Sequence, residues 1–190
     1  VMNKILVNYS TEAVAAYQIV SRLDMLLFMP ILGIAISLTT IVGMFYGAKE
    51  FDKLLSVVNY GINRVVLITT ISVIFFFVLA SNILPIFSSN PLVIDIGVTY
   101  LKIIILVYPA VGISVICSRV CQALGQGMPL LITTITRVII LTAPLSYYFY
   151  FTGRPIEWVW FSQVFAILIA ATISFAWMRY YFRKFNIVRN

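Results

Sequence analysis

Charged residues are scarce in this chain. Only 10% of its 190 residues are Asp, Glu, Lys or Arg, whereas 62% are hydrophobic, and the mean hydropathy is +1.05. In a soluble domain about a quarter of the residues are usually charged, because the surface must remain in water. This composition excludes an ordinary soluble domain and predicts that lipid surrounds most of the chain.

Residues that ligate metals or act in catalysis are also rare. The chain has no His and only two Cys, Cys117 and Cys121, so it lacks the converging His, Cys and carboxylate sets that hold zinc. These cysteines lie one helical turn apart, a spacing that permits a disulfide or a metal pair and equally suits two small side chains packed within a helix. The sequence contains no GxSxG, HExxH or phosphate-binding glycine motif. We therefore predict no enzyme, no catalytic residue, no metal and no cofactor.

Uncharged apolar sequence is abundant. Charge-free runs cover Met25–Ala48, Val65–Ile94 and Trp158–Met178, and each is long enough for the roughly 20 residues that a helix needs to cross a bilayer. Such runs must satisfy their own backbone hydrogen bonds in lipid, which helices do. We predict an all-α integral membrane protein with five complete transmembrane helices plus a partial one. The complete spans are Ala13–Tyr46, Tyr60–Phe87, Gly97–Ser118, Pro129–Phe151 and Trp158–Tyr180.

The first residues of the chain, Val1–Asn8, are apolar but too few to cross a membrane. They have no basic head followed by a full apolar core and a cleavage site, so they differ from a signal peptide. We interpret them as the end of a helix and expect the chain to be a fragment of a longer protein.

Basic residues indicate the orientation. Lys and Arg collect on the cytoplasmic side of membrane proteins, so the net charge of +7 is expected without a nucleic-acid partner. The segment Gly47–Arg64 mixes charged and apolar residues at helical spacing and predicts a short amphipathic helix on the cytoplasmic surface. The C-terminus is predicted to be cytoplasmic. The residues predicted on that side are Lys49, Lys53, Arg64, Arg119, Arg179, Arg183, Lys184 and Arg189, and those on the outer side are Lys4, Lys102 and Arg154.

Polar residues inside the spans are candidates for function, because charges within a membrane are costly. Arg22 and Asp24 are two residues apart and face different directions on a helix, whereas Gln18 and Arg22 share a face. Each charge therefore needs a partner on another helix or a water-filled cavity, and a structural contact near the outer headgroups is the alternative. Arg119 and Arg137 can both extend to lipid phosphates.

Four residues are candidate hinges. Pro30 and Gly33 lie in the first span, which is too long to cross a bilayer straight, and Pro109 and Pro144 lie in the third and fourth. Proline removes a backbone donor and bends a helix. Interrupted helices are common in transporters, although proline is also ordinary in membrane helices.

Three blocks of the chain resemble a known family. The first span and its exit contain an A-x-Q-I-x-x-R start, a P-x-x-G-I middle and a G-x-x-x-G-A-K exit, at Ala15–Arg22, Pro30–Ile34 and Gly43–Lys49. The block SRVCQALGQGMPLL follows the third span, and TRVIILTAPLSYYF lies in the fourth. In this order they resemble helix eight, the link between helices ten and eleven, and helix eleven of the multidrug and toxic compound extrusion (MATE) transporters. Phe45 and Tyr46 depart from the Gln-Asn that is usual in the family.

The resemblance implies a fold of twelve helices in two six-helix bundles, with residues 1–190 as the second, C-terminal bundle. It also implies antiport across a plasma membrane, in which Na⁺ or H⁺ enters while a cationic or amphipathic drug leaves by alternating access. The coupling carboxylate of many relatives lies in helix one, which is not in this chain. Some relatives use acids in helices seven and ten, but Gly97–Ser118, the counterpart of helix ten, has no internal acid.

On this basis we expect Gln18, Arg22, Asp24 and Tyr108 to line or shape the transport path. The expected partners are the lipid bilayer, a small organic cation and the missing N-terminal bundle, with Na⁺ or H⁺ as the coupling ion. Two alternatives remain open. One is a lipid-linked precursor flippase of the same superfamily, and the other is a small membrane scaffold without transport activity.

Overall fold

The protein is described by a computed structural model that covers residues 2–187. Arg189, which is predicted to be cytoplasmic, lies outside the described residues. In chain order the elements are α1 (Met2–Leu6), α2 (Thr11–Gly47), α3 (Phe51–Phe87), α4 (Pro91–Ile105), α5 (Tyr108–Ala123), α6 (Met128–Ile135), a π-helical segment (Thr136–Thr142), α7 (Ala143–Phe151) and α8 (Glu157–Lys184).

Five spans form the bundle. α2, α3, α8 and the continuous run Met128–Phe151 are each long and apolar enough to cross a membrane, and α4 with α5 forms a fifth span with a bend of 51°. The predicted all-α fold with five complete spans is therefore confirmed. The bent span begins at Pro91, six residues before the predicted start, because Asn90 caps the helix by accepting a hydrogen bond from the Leu92 N–H at 3.0 Å.

The predicted amphipathic surface helix Gly47–Arg64 is wrong. The chain turns at residues 48–50, and Phe51–Phe87 is then one helix of 37 residues, about 55 Å long. The helix continues without a break through Gly61. This glycine is buried against Leu38 of α2, where an added Cβ would overlap the leucine side chain. The charged residues at the start of α3 belong to the extended end of a span.

Glycine and proline lie at two of the turns between the spans. Gly125 and Gly153 have φ angles of 80° and 64°, a left-handed conformation that glycine adopts without steric cost. Pro129 lies in the first turn of α6, where its missing N–H leaves no hydrogen bond unmade. These turns alternate the direction of the spans and so place the ends of α2, α5 and α8 at the same end of the bundle as the start of α3.

Two apolar clusters hold the bundle together. At that end of the bundle, α2, α3, α5 and α8 pack around residues such as Leu38, Leu54 and Ile116. Near the opposite end, a second cluster surrounds Tyr100 and Trp160. Large apolar side chains also remain on the outside of the bundle, as expected for a surface that lipid covers. Examples are Phe75, Val78, Ile139 and Leu168.

Cys117 and Cys121 are free thiols, both fully buried in the first of these clusters. Within residues 2–187 no three His, Cys, Asp or Glu side chains lie close enough to hold a metal ion. The structure therefore supports the interpretation of the two cysteines as small packed side chains.

We expect neither cysteine to react with a water-soluble maleimide in native membranes. The reagent needs an accessible thiolate, and neither sulfur meets water in this packing. The measurement is the mass gained by the protein before and after denaturation in detergent. Ser89→Cys, in the exposed turn between α3 and α4, is the control that should label without denaturation. Rapid labelling of the native sequence would contradict the packing.

Candidate functional site

A cavity of about 310 Å³ opens between α2, α5, the π-helical segment and α8. Its volume is at the lower end of the range for small-molecule sites, which is about 300–1,000 Å³. Its walls combine aromatic and aliphatic side chains with a few polar groups. The lining residues with a polar atom are Tyr17, Asp24, Tyr108, Arg137, Thr142 and Gln163.

Asp24 and Tyr108 form the central contact of this cavity. The Tyr108 hydroxyl donates a hydrogen bond to Asp24 Oδ1, although the two residues are 84 positions apart in the chain. Their meeting depends on the break in the third span, since α4 ends at Ile105 and Tyr108 begins α5 after the bend. A carboxylate inside a membrane is costly without a partner, and the phenol supplies that partner.

The other two predicted path residues lie elsewhere. Gln18 and Arg22 are exposed on α2, and neither lines the cavity. Arg22 and Asp24 point about 160° apart around the helix axis, as their spacing predicts. The structure thus brings Asp24 and Tyr108 together and leaves Gln18 and Arg22 on the outer face of α2. The roles of these residues in a transport path stay predictions.

The hinge candidates occupy different settings. α2 continues as one helix through Pro30 and Gly33. Pro109 is in the first turn of α5, directly after the 51° bend, and Pro144 is in the first turn of α7, directly after the π-helical segment. Both of the latter prolines therefore follow an irregularity in a span, which is where a missing backbone donor is tolerated.

Arg137, for which the sequence left contact with lipid phosphates open, is a cavity residue. It is half-buried and lines the cavity from the π-helical segment. Within that segment the Thr142 hydroxyl donates a hydrogen bond to the Arg137 carbonyl oxygen at 2.7 Å. π-helical turns are rare and occur often at functional sites. A lone arginine in an apolar run does not indicate whether its side chain contacts lipid phosphates or lines a cavity.

An aromatic cluster lies beside the cavity. The Tyr17 and Trp160 rings are parallel with centroids 6.3 Å apart, and the Tyr100 and Trp160 centroids are 4.2 Å apart. The Tyr100 hydroxyl donates to Gln163 Oε1 at 3.4 Å, whereas Gln163 Nε2 is buried without a partner in the described part of the chain. Aromatic faces attract cations, and a free amide donor suits a ligand oxygen.

These features define a polytopic membrane protein with an open cavity between its spans, lined by apolar side chains and a few polar groups. A family model described as MatE matches residues 1–148. The chain belongs to this family of MATE transporters, which are not enzymes, and is a multi-pass membrane protein.

Individual members of the family are similar to the chain in sequence and in fold. The chain is 24% identical over 183 residues to the probable multidrug resistance protein YoeA of Bacillus subtilis and 27% identical over 143 residues to the probable multidrug resistance protein NorM of Thermotoga maritima. Those matches cover 96% and 75% of this chain, but 40% and 31% of the relatives. The Vibrio cholerae MATE transporter VcmN, in its bent form, shares the fold with a TM-score of 0.88 at 24% identity, over 97% of this chain and 42% of that one. The chain therefore spans well under half the length of these relatives.

Proposed function

We propose that this chain forms the second bundle of a secondary active transporter that exports cationic or amphipathic compounds in exchange for Na⁺ or H⁺. Membership of the MATE family supports transport. The observation that carries the proposal is the Asp24–Tyr108 pair in the cavity between the spans. The resemblance to MATE transporters favours the plasma membrane as the location of the transporter. The distribution of its basic residues favours a cytoplasmic C-terminus.

A single carboxylate explains exchange in simple physical terms. Asp24 can hold a proton, a sodium ion or the positive group of a substrate, but its charge balances only one of them at a time. Binding of the ion on one side of the membrane therefore favours release of the substrate there. Tyr108 keeps the carboxylate in position and offers a second oxygen to a bound ion. Intramembrane acids mark ion and substrate paths in transporters for this reason.

The proposal predicts export that depends on an ion gradient. The native full-length protein is placed in liposomes loaded with a fluorescent organic cation, and a sodium gradient or a pH gradient is imposed separately. We expect one of these gradients to accelerate efflux and an ionophore that collapses it to remove the acceleration. The effective gradient identifies the coupling ion. Efflux that is equal with and without both gradients would contradict antiport.

A further inference from the structure

Arg137 has no counter-charge within ion-pairing distance in the described part of the chain. Its guanidinium group makes no hydrogen bond or ion pair with any residue in the range 2–187, where the one ion pair joins Lys53 and Glu50 at 2.8 Å. Asp24 lines the same cavity, but its carboxylate oxygens are more than 4 Å from the guanidinium nitrogens of Arg137. The two side chains therefore form no ion pair. The two opposite charges share a cavity without neutralising each other.

The position of Arg137 makes this arrangement costly. It lies nine residues after Met128, the start of α6, which is about 13 Å along the helix axis. Phe151, the end of α7, is a further 14 residues away. A charge at that depth is inside a hydrocarbon core of about 30 Å and is retained where it lines a cavity or finds a partner.

We propose that this cavity recognises zwitterionic substrates, whose anionic group, a carboxylate or a phosphate, binds Arg137 while the cationic group binds near Asp24. This inference rests on the proposed transport function and names the substrate class of the same site. A purely cationic ligand would be attracted by Asp24 and repelled by Arg137, whereas a zwitterion satisfies both.

Other groups of the cavity fit such a ligand. The face of Tyr17, stacked 6.3 Å from Trp160, can cover a cationic group next to Asp24. The unpartnered Nε2 of Gln163 can donate to an anionic oxygen, as can the guanidinium fork of Arg137, which matches a carboxylate or phosphate with two parallel hydrogen bonds. The polar groups therefore supply both signs of charge within about 310 Å³.

The test compares two dyes that differ in one charge. A rhodamine with a free carboxyl group is a zwitterion, and its methyl ester is a cation with the same aromatic system. Transport of each by the native full-length protein in liposomes is measured for the wild type, Arg137→Gln, Arg137→Lys and Arg119→Gln. Arg119 is the matched control, because it is also half-buried but donates to Gln122 Oε1 at 3.0 Å and lies outside the cavity.

We expect Arg137→Gln to reduce transport of the free acid by at least about tenfold, since a hydrogen bond between charged groups is lost. Transport of the cationic ester should stay at the wild-type rate or rise, since the repulsion between the ester and Arg137 is removed. Arg137→Lys should retain part of the transport of the acid. Arg119→Gln should alter neither dye. In a second arm of the experiment, a fluorescent phosphatidylethanolamine replaces the dyes. If Arg137→Gln reduced transport of this lipid but not of the free-acid dye, the anionic group would be a lipid phosphate.

If Arg137→Gln reduced transport of the acid and of the ester equally, the inference would be overturned. Arg137 would then be needed for transport of every substrate, either because it stabilises the fold or because it pairs with an acidic residue elsewhere in the protein. An unchanged ratio of acid to ester transport, with both rates at the wild-type level, would overturn the inference as well. If the wild type moves no probe at all, the transport proposal fails, and binding of the two dyes to purified protein, measured by fluorescence polarisation, still decides whether Arg137 selects the acid.

Discussion

Replacement of Asp24 by Asn is expected to lower gradient-driven export of a cationic dye by at least about tenfold. The amide keeps the shape of the carboxyl group, and its oxygen still accepts the hydrogen bond from Tyr108, so the local packing is preserved. The negative charge is lost. Two unit charges 4 Å apart attract each other by about 4 kcal/mol at an effective dielectric constant of 20, and losing only about 1.4 kcal/mol of that attraction gives a tenfold effect.

The matched control for this substitution is Asp95→Asn. Asp95 is exposed on α4 and lies outside the cavity, so the same change of chemistry should leave export within about twofold of the wild type. The rates are measured in liposomes with equal amounts of each protein. An Asp24→Asn protein that exports the dye at the wild-type rate would reduce the Asp24–Tyr108 pair to a structural contact.

Substitution of Gly112 by Ala is expected to destabilise the bundle by about 1–3 kcal/mol, the usual range for overpacking a core. Gly112 of α5 faces α3, and an added Cβ would overlap Val65 Cγ1 and approach Thr69 Cγ2 at 3.5 Å. Small residues at such positions allow membrane helices to approach closely. The measurement is the unfolding temperature of the full-length protein in detergent.

The structure provides both a control and a compensating change for Gly112→Ala. In Gly43→Ala the added Cβ meets only Ala123 O at 3.9 Å, an ordinary contact, so the unfolding temperature should remain close to that of the wild type. Val65→Ala removes the methyl groups that the new Cβ would overlap, and the double variant should unfold at a higher temperature than Gly112→Ala alone. A Gly112→Ala protein as stable as Gly43→Ala would mean that α3 and α5 do not pack as described.

The spans could be predicted from sequence because the physics that defines them is local. About 20 uncharged residues in a row suffice to indicate a membrane helix, and glycine and proline mark the turns near Gly125 and Gly153. The error at Gly47–Arg64 has the same origin. Charges at helical spacing suggested a separate surface helix, whereas packing of Gly61 against Leu38 extends the span through this segment.

The site was only partly predictable because its geometry depends on irregular backbone. Asp24 and Tyr108 were both candidates, but their contact requires the 51° bend between α4 and α5, whose angle no local pattern encodes. Arg137 reaches the cavity from a π-helical segment, and the sequence signal for such a segment is weak. Pro144 indicated an irregularity in this span but not its direction.

The most direct test of the central claim is whether the coupling ion and the substrate compete for Asp24. Binding of a fluorescent organic cation to the purified full-length protein is measured against increasing sodium concentration and, separately, against decreasing pH. We expect one of these titrations to displace the dye competitively and Asp24→Asn to abolish this displacement. Dye binding that is independent of both ions in the wild type, or displacement that persists unchanged in Asp24→Asn, would contradict the central claim.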